Sequence, residues 1–125
     1  MKNIIKRYKI NASCEEVYKA LTNSFTIELW TGYPAKMEPV TGSEFEMWEG
    51  DISGLNLEFI ENRKIIQEWY FGEQKEKSIV ILTFSSKGNK TIIELSHTNI
   101  PDEVFDNIKN GWDKDYMGSL SNFFK

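Results

Sequence analysis

Residues 64–97, KIIQEWYFGEQKEKSIVILTFSSKGNKTIIELSH, decide the fold. Apolar and polar side chains alternate along three segments, which predicts strands over Lys64–Phe71, Ser78–Ser85 and Lys90–His97. The short connections between them favour hairpins, so the three strands form an antiparallel meander. One face of the meander is apolar, and its predicted inward residues are Ile65, Trp69, Phe71, Val80, Leu82, Phe84, Ile93 and Leu95.

The same period of two continues upstream of this segment. It predicts strands at Ala35–Glu38, Ser43–Glu49 and Leu55–Glu61, and residues 3–10 alternate as well, which makes seven strands in all. Alternation places Trp48 on the outer face of its strand. The inward residues predicted for the upstream strands are Phe45, Met47, Leu55, Leu57 and Phe59.

Helical patterns flank the predicted sheet on both sides. Ser13 and Glu16 form a capping box that begins a short helix, and a second short helix follows at about Phe25 to Trp30. A long amphipathic helix from about Asp102 to Phe124 closes the chain, and it spans roughly 30 Å. Its apolar stripe consists of Phe105, Ile108, Trp112, Tyr116, Leu120 and Phe123.

This order predicts a single α+β domain over residues 1–125. A curved seven-stranded antiparallel sheet carries two short helices, and the long C-terminal helix lies across its concave face. The small residues Gly111, Gly118 and Ser119 predict a void between helix and sheet that suits an apolar ligand. The cavity residues expected to bind it are Phe45, Met47, Phe59, Gln67, Trp69, Leu82, His97, Trp112 and Tyr116.

Composition excludes several classes of function. The chain has 15 Lys and Arg against 19 Asp and Glu, so a nucleic-acid-binding surface is not expected. No window of about 18 apolar residues exists, so no membrane span is expected, and the N-terminus does not resemble a signal peptide. The single cysteine, Cys14, fits a reducing compartment, which predicts a cytoplasmic protein.

Few residues carry chemistry of their own. His97 is the single histidine, and there is no phosphate loop, nucleophile elbow or CxxC motif, so no metal, cofactor or catalytic residue is expected. His97 is either an acid or base in a pocket or a hydrogen-bonded structural residue. The inward Gln67 either orients a ligand or bonds to a neighbour. Seven acids and no base between Lys36 and Arg63 form either a docking patch for a basic partner or a solvated hairpin.

Seven short motifs follow one another along the chain, at Glu16–Thr22, Trp30, Thr41–Phe45, Gly50–Gly54, Ile65–Trp69, Thr91–His97 and Gly111–Trp112. In this order they resemble the START-like (SRPBCC) helix-grip superfamily. Within it the chain resembles the activator of heat-shock-protein-90 ATPase homologue family, at its C-terminal-type domain.

The resemblance implies a non-enzymatic module with a role in stress response. Such a module would bind a chaperone or other protein partner, or a small hydrophobic ligand in the cavity between helix and sheet. Some START-like domains are cyclases or hydrolases, so a small-molecule enzyme that uses the same cavity is the alternative. The eukaryotic activators of the family also carry a separate N-terminal domain.

Overall fold

An antiparallel sheet with helices on its inner face forms the framework of the computed structural model, which describes all 125 residues. The elements are β1 (Lys2–Ile10), α1 (Cys14–Thr22), α2 (Ser24–Thr31), β2 (Glu44–Met47), β3 (Ile52–Ile60), β4 (Lys64–Trp69), β5 (Ser78–Lys87), β6 (Lys90–Ile100), α3 (Phe105–Gly111) and α4 (Met117–Phe123). A π-helical segment, Trp112–Tyr116, joins α3 to α4, and 3-10 turns lie at Trp48–Gly50 and Asp102–Val104. The predicted α+β class and antiparallel meander are confirmed.

The sheet has six strands, in the order β1-β6-β5-β4-β3-β2, and the predicted seven are wrong. The segment Ala35–Glu38 forms one isolated bridge, in which Lys36 and Glu46 exchange two backbone hydrogen bonds of 2.9 Å. Pro39 follows at once and has no N–H to extend the ladder. The chain then turns back, with the Ser43 amide bonded to the Val40 carbonyl, so a seventh strand cannot grow.

The inner face of β3 also differs from the prediction. Leu55 and Leu57 are half-buried on the outer face, while Gly54 and Asn56 pair with two buried residues of β4 and occupy the inner face. A Cβ at Gly54 would clash with the Glu68 carbonyl oxygen. Glycine is therefore required there by close backbone approach, and alternation alone could not show it.

A β-bulge between Asn56 and Glu58 restores the predicted phase for the rest of β3. Beyond it Phe59 pairs with the buried Ile65 and returns to the inner face, where it packs half-buried against the core. A bulge inserts one residue without a partner, so a strict period of two fails at that point.

Local signals set the first two helices as predicted. The Ser13 hydroxyl accepts from the Glu16 amide at 3.2 Å, and the Glu16 carboxylate accepts from the Ser13 amide at 3.3 Å. Asn23 caps α2 through the Thr26 amide at 3.1 Å. The Trp30 indole then donates to a carbonyl of α1, that of Ala20, at 2.8 Å, which fixes the angle between the pair.

The C-terminal helix is not the uninterrupted helix predicted for residues 102–124. The turn at Trp112–Tyr116 is π-helical. Gly118 follows it, and a Cβ at that position would lie only 3.2 Å from the Asp113 carbonyl oxygen, which is a tight contact. Phe105 and Ile108 are half-buried rather than buried, and Phe123 is exposed. The docked part of the helix is therefore its middle, around Trp112, Tyr116 and Leu120.

A cluster of 23 buried apolar residues fills the space between the sheet and the helices. Val17, Ala20 and Leu21 enter it from α1, Val80 and Leu82 from β5. None of the helices combines the length and the apolar character that crossing a bilayer requires.

Candidate functional site

A cleft of about 580 Å³ opens where the first part of the C-terminal helix rises away from the sheet. This volume falls within the ~300–1,000 Å³ of small-molecule sites. The helix contributes Asn107, Ile108, Gly111, Trp112, Asp115 and Tyr116. The opposite wall consists of Tyr33, Trp48, Asp51, Ile52 and Trp69, which come from loops and strand ends.

A continuous series of aromatic rings forms the inner wall of this cleft. Trp69 stacks on Trp112 with ring centroids 4.8 Å apart and planes inclined by 20°. Trp112 contacts Tyr116 at 4.5 Å, and Tyr116 contacts both Trp48 at 5.9 Å and Trp30 at 5.3 Å. Because Trp69 and Trp112 meet, the open space lies beside them and not between the middle of the sheet and the helix.

Trp48 belongs to this wall, and its predicted position on the outer face is wrong. The strand β2 ends at Met47, two residues before the predicted end. Trp48 and Glu49 then adopt left-handed backbone conformations, with φ of 51° and 56°. This turn redirects the Trp48 ring toward Trp30, 5.7 Å away. A non-glycine residue at positive φ is uncommon and leaves no periodic signal in the sequence.

His97 lies behind the wall with both ring nitrogens hydrogen-bonded. The Trp112 indole Nε1 donates to His97 Nδ1 at 3.0 Å. Since an indole N–H can only donate, this contact assigns the ring proton to Nε2. Nε2 then donates to Ser78 Oγ at 2.9 Å, and the Ser78 hydroxyl donates to the Thr98 carbonyl at 3.0 Å.

The imidazole is neutral in this arrangement. Its side chain is fully buried, and burial lowers the pKa of His97 from 6.5 to about 3. The hydrogen bonds favour the structural interpretation of this histidine, because they hold the Trp112 ring in place and leave no ring nitrogen free for a ligand.

Gln67 is the centre of a second buried chain of hydrogen bonds. The Trp69 indole donates to Gln67 Oε1 at 3.1 Å, and Gln67 Nε2 donates to Asn56 Oδ1 at 3.0 Å. Asn56 Nδ2 donates onward to Ser43 Oγ at 3.1 Å. Each of the two stacked indoles at the cleft is therefore held by one polar partner deeper in the core.

The structure brings three of the nine predicted cavity residues to the cleft, namely Trp69, Trp112 and Tyr116. The other six form the packed layer behind them: Phe45, Met47, Gln67, Leu82 and His97 are buried and Phe59 is half-buried. Ligand binding by any of the nine stays a prediction.

Sequence reasoning missed Tyr33, Trp48 and Asp51, which come from loops and turns, and Asn107 and Asp115, which come from the C-terminal helix. Of the three small residues expected to leave a void, Gly111 lines the cleft, whereas Gly118 and Ser119 do not. Asp51 belongs to the motif Gly50–Gly54, but no sequence pattern links that motif to the last helix.

The cleft has few polar groups, and its charged side chains are all acidic. Asp51 and Asp115 are the only formally charged residues that line it. Tyr116 is 4% exposed, and burial, with no contribution from a hydrogen bond, raises the pKa of its hydroxyl well above the usual 10. No three His, Cys, Asp or Glu side chains converge anywhere in the chain in a way that could hold a metal ion.

A sheet that holds a C-terminal helix on its inner face, with a cleft at the open end of that helix, defines a START-like helix-grip domain. The chain belongs to the family described as Activator of Hsp90 ATPase homolog 1-like protein, whose pattern matches residues 11–125. The family resemblance read from the sequence is thereby confirmed.

Two curated relatives illustrate the relationship. The human activator of 90 kDa heat shock protein ATPase homolog 1 is 26% identical over 114 residues, which cover 90% of this chain and 34% of the human protein. The mouse homolog 2 is 28% identical over 112 residues, covering 88% of this chain and 34% of the relative. The chain thus spans about a third of the length of the curated relatives it matches.

Solved structures match over a larger share of their own length. An Hsp90 activator from Plasmodium falciparum is 25% identical with a TM-score of 0.89, and the match covers 98% of this chain and 96% of that one. The protein CalU16 from Micromonospora echinospora is 28% identical with a TM-score of 0.83, covering 98% of this chain and 74% of that one.

Proposed function

We propose that this chain is a non-enzymatic binding module that recognises an Hsp90-type chaperone. The observation that carries this proposal is the match to the Plasmodium falciparum Hsp90 activator over nearly the full length of both chains. Its single, half-buried free cysteine, Cys14, is compatible with the reducing cytoplasm in which we expect it to act.

The outer face of the sheet supplies a surface of the right character for a protein partner. Pairing in the ladders places Ile5, Ile81 and Ile66 in one row across β1, β6, β5 and β4. Ile5 is 83% exposed, and the other two isoleucines are half-buried. An apolar row on a sheet face that no element of the chain covers is typical of an interaction surface.

Carboxylates border this row on the β2–β4 side. Glu44 pairs with Leu55, which pairs with Glu68, so both carboxylates lie on the outer face. All seven acids predicted for the docking patch are exposed, namely Glu38, Glu44, Glu46, Glu49, Asp51, Glu58 and Glu61, but Asp51 lines the cleft and is not counted toward the outer face. We therefore assign the partner contact to this face and expect a basic, partly apolar surface on the chaperone.

Calorimetry with the Hsp90-type chaperone of the source organism tests both parts of the proposal. Binding should weaken by at least about fivefold in a Glu44→Lys, Glu68→Lys double variant. A Glu73→Lys, Glu76→Lys variant carries the same charge change on an exposed loop and should bind as the parent does. Absence of binding by the parent protein overturns the chaperone proposal. If the Glu44→Lys, Glu68→Lys variant binds as tightly as the Glu73→Lys, Glu76→Lys variant, only the assignment of the contact to the outer face of the sheet is overturned.

The aromatic cleft favours a second candidate function, which is binding of a small apolar or aromatic ligand. Its walls are mostly aromatic, and a few polar groups could fix orientation, as in many ligand sites. Native mass spectrometry of the protein purified from its host should show a retained small molecule. A protein that carries no small molecule would count against this candidate.

A cyclase- or hydrolase-like enzyme is the alternative that uses the same cleft. His97 contributes no free nitrogen to it, so general acid–base groups would have to be Asp51, Asp115 or a tyrosine hydroxyl. Turnover of a retained ligand that is lost in an Asp51→Asn or Asp115→Asn variant would favour the enzyme over the binding module.

A further inference from the structure

We propose that the aromatic cleft binds an organic ammonium cation that carries an apolar or aromatic body. The inference rests on the second candidate function, ligand binding in the cleft, and specifies the chemical class of the ligand. It is independent of the chaperone contact assigned to the outer face of the sheet.

Five aromatic residues line the cleft, three Trp and two Tyr. Tyr33 and Trp48 are the more exposed of them, whereas Trp69, Trp112 and Tyr116 form the nearly buried base. Indole and phenol rings have negative π-faces, which attract an ammonium or quaternary ammonium group within about 6 Å. Trp69, Trp112 and Tyr116 are held rigidly, since each contacts at least one further ring at 4.8 Å or less. The aromatic surface is therefore organised before any ligand arrives, which lowers the entropy cost of binding.

The charges that line the cleft have one sign. Asp51 and Asp115 stand on opposite walls, and no Lys or Arg lines the space. The three ion pairs of the protein use other carboxylates, those of Asp102, Asp113 and Glu94, so neither cleft aspartate is neutralised by a pair. A cation gains from both aspartates, while a carboxylate or phosphate ligand would be repelled.

Tyr116 adds a polar group that lacks a partner within the protein. Its ring is 4% exposed and its hydroxyl makes no hydrogen bond to the chain, yet no fully buried polar atom of the molecule is left unpaired. The hydroxyl must therefore keep contact with solvent, and the cleft is the open space that Tyr116 lines. Its lone pairs can accept from an ammonium N–H or contact the methyl groups of a quaternary ammonium.

Two isosteric probes separate charge from shape. The (4-hydroxyphenyl)trimethylammonium ion and 4-tert-butylphenol have the same outline and differ in one positive charge. Titration calorimetry should give an affinity for the cation that is at least about fivefold higher than for the neutral phenol, as expected for a cation over aromatic faces near carboxylates. In nitrogen–proton spectra, the indole Nε1 signals of Trp69 and Trp112 should shift during the titration.

Two variants locate the effect. Asp51→Asn with Asp115→Asn should reduce the preference for the cation to about twofold or less while leaving the affinity of the phenol unchanged. The matched control, Glu44→Gln with Glu58→Gln, changes the total charge equally on exposed residues outside the cleft and should retain the preference. Gly111→Leu places a side chain in the cleft, where a Cβ meets only the Asp115 carboxylate at 4.0 Å and is therefore accommodated. This side chain should weaken the binding of both probes.

Each outcome decides something different. Equal affinities of the parent protein for the two probes overturn the cation proposal and leave the cleft as a site for neutral apolar ligands. A preference that survives removal of both aspartates assigns the selectivity to the aromatic rings and overturns the role given to Asp51 and Asp115. Failure of both probes to bind the parent protein overturns the cation proposal together with the ligand-binding candidate on which it rests.

Discussion

His97 and Trp112 show how one buried polar contact can shape a surface site. The indole N–H of Trp112 needs an acceptor once its ring is 2% exposed, and His97 Nδ1 provides it at 3.0 Å. The same ring of Trp112 stacks on Trp69 at 4.8 Å and forms the wall of the cleft. A neutral histidine in the core thus determines the position of an aromatic ring that lines the cleft.

Protonation of His97 should destabilise the fold. The folded-state pKa of about 3 lies below the ordinary 6.5, so the unfolded chain binds the proton more readily and stability falls as pH drops below 6.5. Near pH 5 the loss from this group should reach about 2 kcal/mol relative to neutral pH. Urea denaturation at both pH values should show that loss in the parent protein beyond what a His97→Gln variant loses.

The His97→Gln comparison removes the contribution of the carboxylates, which titrate in both proteins. Nitrogen–proton spectra supply a second readout, in which His97 should remain the neutral Nε2–H tautomer down to at least about pH 5. Titration of this ring near its ordinary pKa of 6.5 would contradict the hydrogen-bond assignment.

Truncation of Trp112 should be among the most costly changes in the chain. Trp112→Ala removes a buried aromatic side chain and leaves His97 Nδ1 without its donor, so we expect a loss of about 3–5 kcal/mol in the free energy of unfolding. Chemical denaturation measures it, and Trp112→Phe, which keeps a ring, should lose less. A Trp112→Ala variant within about 1 kcal/mol of the parent would show that the helix is not docked here.

Among the secondary-structure elements, those with a simple period were predictable and the interruptions were not. The capping box at Ser13 and the alternation of β4 to β6 follow directly from residue order. The bulge in β3, the left-handed Trp48 and the π-helical turn each break a period by one residue or one torsion angle. These interruptions also position several of the residues that line the cleft. The residues predicted to line it are therefore mostly those of the buried layer behind the cleft.

The two glycines of the C-terminal helix should respond differently to alanine. Gly111 has helical torsion angles, and a Cβ there would meet only Asp115 Oδ2 at 4.0 Å, so Gly111→Ala should stabilise by about 0.5–1 kcal/mol. A Cβ at Gly118 would lie 3.2 Å from the Asp113 carbonyl oxygen, where the π-turn brings that oxygen close. Gly118→Ala should therefore gain at least about 0.5 kcal/mol less.

Thermal or urea denaturation of the two alanine variants measures this difference. The pair is matched, since both changes replace glycine by alanine in one helix. Equal stabilisation by both would mean that the π-helical turn does not crowd position 118.

In the molecule as a whole, the sequence motifs predict the fold and the family, whereas the position of the cleft depends on how the elements pack together. Motifs at turns and core positions were enough to predict the fold class and the family, because they report on backbone geometry. The cleft depends on where β2, β4 and the C-terminal helix end relative to one another, which is a tertiary property. Its two charged residues, Asp51 and Asp115, are 64 positions apart in the sequence (115 − 51) and carry no shared pattern.

The cleft should make the intrinsic fluorescence of this protein sensitive to apolar ligands. Three of the four tryptophans line it, and the fourth, Trp30, contacts Trp48 at 5.7 Å, so a bound molecule must change the surroundings of most emitting rings. The neutral probe N-phenyl-1-naphthylamine should bind saturably, with a dissociation constant roughly micromolar or weaker, because the site offers an aromatic surface but few directional contacts. Gly111→Leu should weaken that binding by at least about fivefold, since the added side chain enters the cleft itself.

Asn110→Leu is the matched control for this experiment. It adds the same side chain one position earlier on the same helix, at an exposed residue that does not line the cleft, and should leave the probe's affinity unchanged. Equal weakening by both variants would mean that the probe binds elsewhere on the helix. Absence of saturable binding in the parent protein would contradict the prediction that the cleft takes neutral apolar molecules.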